Sequence, residues 1–173
     1  MAQVLKKIFL VDDDHNNNEM LKMHLSNKFN LEILTFSTGE DCLRNLDLNP
    51  DYIILDYNLN SVNTSAANGL EILKKIKEEK PDVFVIFLSG QEKIEIAVDT
   101  IKYGAYDYVV KNQSSFLRIE NCLINIHKNL RLAYLAKVYR FSTFVLGGIL
   151  LGIVIMAILF KIFGISAANP GWF

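Results

Sequence analysis

Cysteine is scarce. Only Cys42 and Cys122 occur in 173 residues, and neither has a partner at metal-ligand or redox-motif spacing. That excludes a disulfide framework, a zinc module and a dithiol redox centre, and leaves two reduced thiols in a cytosolic fold. Histidine is equally thin: His15, His24 and His127 are scattered and form no ligand pair. No amino-terminal leader is expected, because Asp12, Asp13 and Asp14 interrupt the apolar run after Lys6-Lys7 far too early. Neither an internal repeat nor a low-complexity linker occurs, and no glycine or proline lies between Ser114 and Gly147. The body also lacks an excess of basic charge. Residues 1–116 carry 12 Lys/Arg against 18 Asp/Glu, which argues against a nucleic-acid binder.

What the chain does have is charge asymmetry and one long uncharged run. Residues 117–140 hold five basic residues and one acid, and only Lys161 is charged beyond them. From Phe141 to Phe160 no charged side chain occurs. Twenty residues at 1.5 Å each give about 30 Å, the thickness of a bilayer's hydrocarbon core. The reading is a soluble part over 1–130, a basic helical neck over 131–140, a transmembrane helix over 141–163 and a short tail over 164–173. Lys128, Arg131, Lys137 and Arg140 precede the run, so residues 1–140 are expected in the cytoplasm and the tail outside. That makes a single-pass protein of the cytoplasmic membrane, with Trp172 at the far interface. Gly148 and Gly152 make a G-x-x-x-G step that suits close approach of two helices.

Before the neck, short apolar runs alternate with amphipathic segments. KKIFLVD, LEILTFS, DYIILD, VFVIFLS and YDYVVK read as five strands. Segments 15–28, 40–46, 69–79 and 91–102 have helical spacing, with Met20, Met23 and Leu25, then Leu70, Leu73 and Ile76, then Ile94, Ala97, Val98 and Ile101 as apolar positions. Gly104 and Pro81 stand as helix stops. A fifth helix begins at Ser114 or Ser115, with serine as N-cap, and continues into the neck. Such alternation predicts an α/β fold with a parallel sheet covered on both faces.

In open parallel sheets, ligand chemistry gathers beyond the carboxyl ends of the strands. Those ends carry Asp12 and Asp13, Asp56, Ser89 and Lys111. Clustered carboxylates repel unless a cation joins them, and Mg²⁺ takes a few carboxylates plus a phosphate. An aspartate beside such an ion can attack phosphorus, while the ion, a lysine and a hydroxyl spread charge on the phosphoryl oxygens.

IFLVDDD, YIILDYN and FLSGQEKIEIAVDTIKYGAYDYVVK, at their spacing, resemble the receiver domain of two-component response regulators over roughly residues 5–130. The resemblance implies a flavodoxin-like, doubly wound five-stranded sheet in the order 2-1-3-4-5. It implies Asp56 as phosphoacceptor, Asp12 and Asp13 as the Mg²⁺-binding pair, and the main-chain carbonyl of Asn58 as a further ligand. Ser89 and Lys111 are then the phosphoryl-sensing hydroxyl and the neutralising lysine, and Tyr108 the aromatic switch. A sensor histidine kinase or phosphotransfer protein would be the partner, and self-phosphorylation on aspartate the only reaction. Asp14 caps helix one or is solvated, and takes no metal role.

Two features depart from the family. Asp56 is followed by YNLNSVNTSAAN before Gly69, a longer loop than usual and one without proline, readable as a mobile surface loop or as a partner-selecting cover. Lys111 is followed by Asn112 where the family has a proline after a cis bond, so a trans, rearranged loop is expected there. No DNA-binding output domain is recognised. Output would then run through helix five, by dimerisation or docking on the helix four–strand five–helix five face. Two other readings compete: a receiver-fold scaffold in a membrane complex that does not use phosphorylation, and a Mg²⁺-dependent phosphotransferase or phosphatase. Asn58 stands where a DxD phosphatase would need its second aspartate, which speaks against the last.

Overall fold

A computed structural model of the chain describes residues 6–59, 68–90 and 93–162. The elements are β1 (Lys6–Val11), α1 (His15–Ser26), β2 (Leu31–Phe36), α2 (Gly39–Arg44), β3 (Tyr52–Asp56), α3 (Gly69–Glu79), β4 (Phe84–Ser89), α4 (Ile94–Lys102), β5 (Asp107–Val110) and α5 (Ser115–Ile162), with a 3-10 turn at Leu46–Leu48. All sheet pairings are parallel, and the order is β2-β1-β3-β4-β5, as the resemblance implies. The chain divides into two compact units, residues 1–124 and 125–173.

Strand residues alternate between two buried faces, as a pleat of period two requires. Phe9, Val11, Ile53, Leu55, Val85 and Phe87 join Cys42, Leu46, Ile72, Leu73 and Ile76 in one core. Ile8, Leu10, Ile54 and Ile86 are buried on the other side of the strands, where Leu21, Leu25, Ile119 and Leu123 are buried too. Burial pushes the Cys42 thiol up to about 12, so it carries almost no thiolate at neutral pH. Helix starts follow their capping chemistry. Asp14 accepts from the amides of Asn16 and Asn17, Thr38 from Asp41, and Asn68 from Glu71. Gly104, at φ +94°, ends α4 in the left-handed region that glycine enters without strain.

Two apolar stripes differ from expectation. On α1, Met20 and Met23 are 57% and 65% exposed, and the buried stripe is Asn18, Leu21 and Leu25. Asn18 holds a core position because its amide donates to the carbonyls of Asp12 (2.9 Å) and Phe36 (3.3 Å). On α4, Ile94, Val98 and Ile101 face outward while Thr100 is buried, its hydroxyl donating to the Ala97 carbonyl at 2.9 Å. In both helices a hydrogen-bonded polar side chain marks the inner face, and hydropathy alone selects the wrong one.

Among the described residues, α5 is the helix long and apolar enough to cross a bilayer, and none of its most apolar window is buried. The tail 164–173, with Trp172, lies outside the described residues, as do positions 60–67 of the loop after Asp56.

Candidate functional site

Strand register sets the site. Val11 pairs with Leu55, Asp56 with Leu88, and Ser89 with Val110, so the residues at or just past these positions share one sheet edge. Asp12, Asp56 and Ser89 are buried there. Ligand atoms of Asp12, Asp13 and Asp56 lie within 4.8 Å of one another. The Lys111 ammonium crosses the sheet to this cluster and sits 2.7 Å from Asp12 Oδ2 and 2.9 Å from Asp56 Oδ1. Asp12, Asp13, Asp56 and Lys111 are thereby brought together.

Charge and hydrogen bonding are unevenly distributed among them. Asp12 Oδ1 accepts from the Asp14 amide at 2.9 Å, and Oδ2 accepts from the side chain of Asn17 as well as from Lys111. Asp56 Oδ2 accepts from the Asn58 amide at 3.1 Å. Asp56 Oδ1 is buried and is paired with the Lys111 ammonium at 2.9 Å. Burial, followed by the Asp12 charge, pushes the Asp56 carboxyl above the usual aspartate range, and Lys111 only partly offsets this. For Lys111 burial acts downward, but Asp56 and Asp12 together outweigh it and hold the ammonium above its ordinary value.

Three carboxylates within 4.8 Å, faced by a single ammonium, are a donor set that a hard divalent cation completes. The residues present fit Mg²⁺. Ser89 is fully buried at the end of β4, and its carbonyl accepts from the Lys111 amide at 2.8 Å, which fixes where that lysine starts. Tyr108 is buried with its ring stacked on Phe87, centroids 6.3 Å apart and planes at 18°.

Several structural residues escaped the sequence reading. Asn17 and Asn18 lie in the run HNNN after the acidic residues, and three consecutive amides beside a carboxylate cluster were a usable signal. Asn112 is another. Among the described residues no peptide bond is cis, and the Asn112 side chain accepts from the amide and hydroxyl of Ser114 at 2.9 and 2.8 Å. Its carbonyl accepts from the amide and hydroxyl of Ser115 at 3.1 and 2.9 Å. The serines therefore donate, and the acceptor at the start of α5 is Asn112, an Asx-turn that replaces the expected serine cap. Asn112→Ala is expected to lower stability by about 1 kcal/mol, as for a lost N-cap, measured by urea unfolding with an unchanged m value.

Gly69 is the last. An added Cβ there would stand 2.2 Å from the Asp56 carbonyl oxygen and 2.8 Å from Tyr57 Cα. Its amide donates to the Tyr57 carbonyl at 2.9 Å, so the long loop leaves and returns at the same point. Only a residue without a side chain allows this closure behind Asp56.

Residues 8–118 match the family model described as the response regulator receiver domain. The chain belongs to the response regulator receiver family. Receivers of this family act in two-component systems, take a phosphoryl group on aspartate, bind Mg²⁺ at an acidic pocket and interact with histidine kinases or phosphotransfer proteins; in themselves they are generally not enzymes. The receiver is 35% identical over 127 residues to the transcriptional regulatory protein CssR of Bacillus subtilis, covering 73% of this chain and 52% of CssR. It is 27% identical to the regulatory protein LuxO of Vibrio cholerae over 103 residues, or 59% of this chain and 21% of LuxO. The chain thus spans about half or less of the length of these relatives. Among solved structures, the BeF3-activated DrrB receiver domain, DrrB being a Thermotoga maritima protein, superposes with a TM-score of 0.59 at 30% identity over 69% of this chain and 98% of that one. A signal receiver domain of a Luxo repressor protein from Vibrio parahaemolyticus gives 0.65 at 22% identity, covering 77% and 98%, and shows the shared fold.

Proposed function

We propose that this receiver accepts a phosphoryl group on Asp56 with Mg²⁺ and is tethered to the cytoplasmic membrane by residues 141–163. The observation that carries the first half is the Asp56 carboxylate. It is buried and faces both an acidic pair and a lysine.

In this reading Asp12, Asp13, Asp56 and the main-chain carbonyl of Asn58 hold the ion, which when bound neutralises charge on the phosphoryl oxygens. Asp56 forms a bond from a carboxylate oxygen to phosphorus as the bond from phosphorus to the donor's leaving atom breaks. That atom departs with the electron pair, and the donor is a phosphohistidine of a sensor kinase or phosphotransfer protein. Lys111 pairs with one phosphoryl oxygen and Ser89 donates its hydroxyl to another. Tyr108, with Ser89, is the two-state element that reports the new charge. Partners dock on the face of α4, β5 and α5, where Ile94, Val98 and Ile101 already form an exposed apolar stripe.

The alternative of a scaffold that does not use phosphorylation drew on the two altered loops. Both observations there favour a working pocket: Lys111 reaches both carboxylates although Asn112 follows it, and Gly69 closes the long loop behind Asp56. The test uses the full chain in detergent with Mg²⁺ and beryllofluoride, read by ¹⁹F NMR. The expected result is a bound beryllofluoride signal that needs Mg²⁺ and is lost in Asp56→Asn. Silence from the folded wild-type chain would favour the scaffold.

The anchor is supported by the length and exposure of the apolar part of α5 and by the basic residues that precede it. The division proposed is a receiver over 1–130, a neck over 131–140, the span over 141–163 and an outer tail over 164–173, with the receiver in the cytoplasm.

A further inference from the structure

No acidic residue occurs after Glu120, so the cations of the second unit have no carboxylate of their own unit to pair with. Two of them, Lys137 and Arg140, stand three residues apart and leave the helix on one face, both exposed. Four residues before each, one turn earlier, are Ala133 and Ala136. A helical side chain leans back over the turn that precedes its own Cα. Lys137 is therefore directed over Ala133 and Arg140 over Ala136, small side chains that leave both cations unobstructed.

That lean has a second effect. The uncharged run starts at Phe141, so both cations tilt away from it, towards the polar side. Ser142 and Thr143, the first polar side chains of the run, are satisfied within the helix. Their hydroxyls donate to the Tyr139 carbonyl at 2.8 and 3.1 Å, and Thr143 also to Arg140 at 2.8 Å. No hydroxyl there needs water, so the change from polar to apolar surface falls between Arg140 and Phe141. Tyr139, 72% exposed, sits at that boundary, where amphipathic rings are favoured.

We propose that Lys137 and Arg140 form a binding site for the phosphate of an anionic phospholipid. This rests on the membrane anchor proposed above. Side chains three apart on a helix are about 5–6 Å apart at Cβ, a spacing from which an ammonium and a guanidinium can hold two oxygens of one phosphate. The occupant is a lipid because the pair sits at the edge of the uncharged run, at headgroup depth. Lys128 and Arg131 make a second pair of the same spacing nine residues earlier. Nine residues are two and a half turns and about 14 Å, so that pair points the opposite way and lies beyond the same headgroup layer. It is the internal control.

The full chain is reconstituted in a mixed phosphatidylcholine and phosphatidylglycerol bilayer, extracted in mild detergent, and its co-purifying lipid is counted by mass spectrometry. Phosphatidylglycerol should be enriched several-fold over the bulk mixture around the wild-type chain, around Lys128→Gln/Arg131→Gln and around the charge-preserving swap Lys137→Arg/Arg140→Lys. Around Lys137→Gln/Arg140→Gln the bulk ratio should return, with the helical circular dichroism unchanged. Bulk ratio around the wild type, enrichment that survives at 137/140, or enrichment that follows 128/131 instead would each overturn the site. Alkaline carbonate separates this from the anchor: a chain released by carbonate refutes the anchor itself, whereas a retained chain with bulk lipid refutes only the headgroup site.

Discussion

Asp56→Asn should abolish phosphoryl uptake and at the same time make the protein more stable. The first effect follows from removing the nucleophilic oxygen. The second follows from the sign of the pKa displacement. The Asp56 carboxyl is held above the ordinary aspartate range, chiefly by burial and then by Asp12, so the folded state disfavours its charge at neutral pH. A group raised in this way stabilises the fold when protonated, and that contribution is lost as pH rises through its folded value. An amide of the same shape has no charge to disfavour, and its oxygen can still accept from the Asn58 amide. A gain on the order of 1 kcal/mol is expected, or a few degrees in Tm. The gap between variant and wild type should narrow as pH falls through the raised Asp56 value and the wild-type carboxyl takes up its proton. Thermal unfolding across that range checks the claim. A variant less stable than wild type at pH 7 would mean that the Lys111 ion pair outweighs the desolvation of Asp56.

Gly69→Ala should do the reverse and damage the fold and the pocket together. Replacing a helical glycine by alanine would ordinarily help by up to about 1 kcal/mol. Here its Cβ would sit 2.2 Å from the Asp56 carbonyl oxygen, and main-chain atoms at the end of a central strand cannot swing aside as a lysine could. Overpacking of this kind costs about 3 kcal/mol, so the clash wins and Tm is expected to fall by roughly ten degrees. Because the atom struck belongs to Asp56, the beryllofluoride response should weaken as well, even well below the new Tm. Gly90→Ala is the control, since a Cβ there meets nothing within 4 Å. Equal behaviour of the two variants, followed by differential scanning fluorimetry, would contradict the close approach.

The strands and the clustering of Asp12, Asp13, Asp56 and Lys111 were legible in the sequence because both depend on signals local in the chain, whereas the strand order came from the family resemblance. Five β-branched and aromatic runs define the strands, and chemistry placed at their carboxyl ends must share an edge in a parallel sheet. The faces of α1 and α4 were not legible. Asn18 occupies a core position through hydrogen bonds to carbonyls that only the fold brings near, and Thr100 through a bond to Ala97 one turn back, so hydropathy pointed to Met20, Met23, Ile94, Val98 and Ile101 instead. The cap at α5 was misplaced for a related reason. Ser114 and Ser115 have the composition of acceptors, but both donate to Asn112, a direction that no pattern of residue types reveals. The reach of Lys111 was beyond the sequence too, because it depends on the bond from its own amide to Ser89 across β4 and β5.

Since the ammonium of Lys111 already joins Asp12 to Asp56, the acidic rim is held together by a cation that is part of the polypeptide. A dissolved ion arriving there finds a finished framework and competes for a place in it, unlike the ion of a zinc finger, which builds its own surroundings. Stripping the protein of divalent ions would therefore silence it and leave it standing.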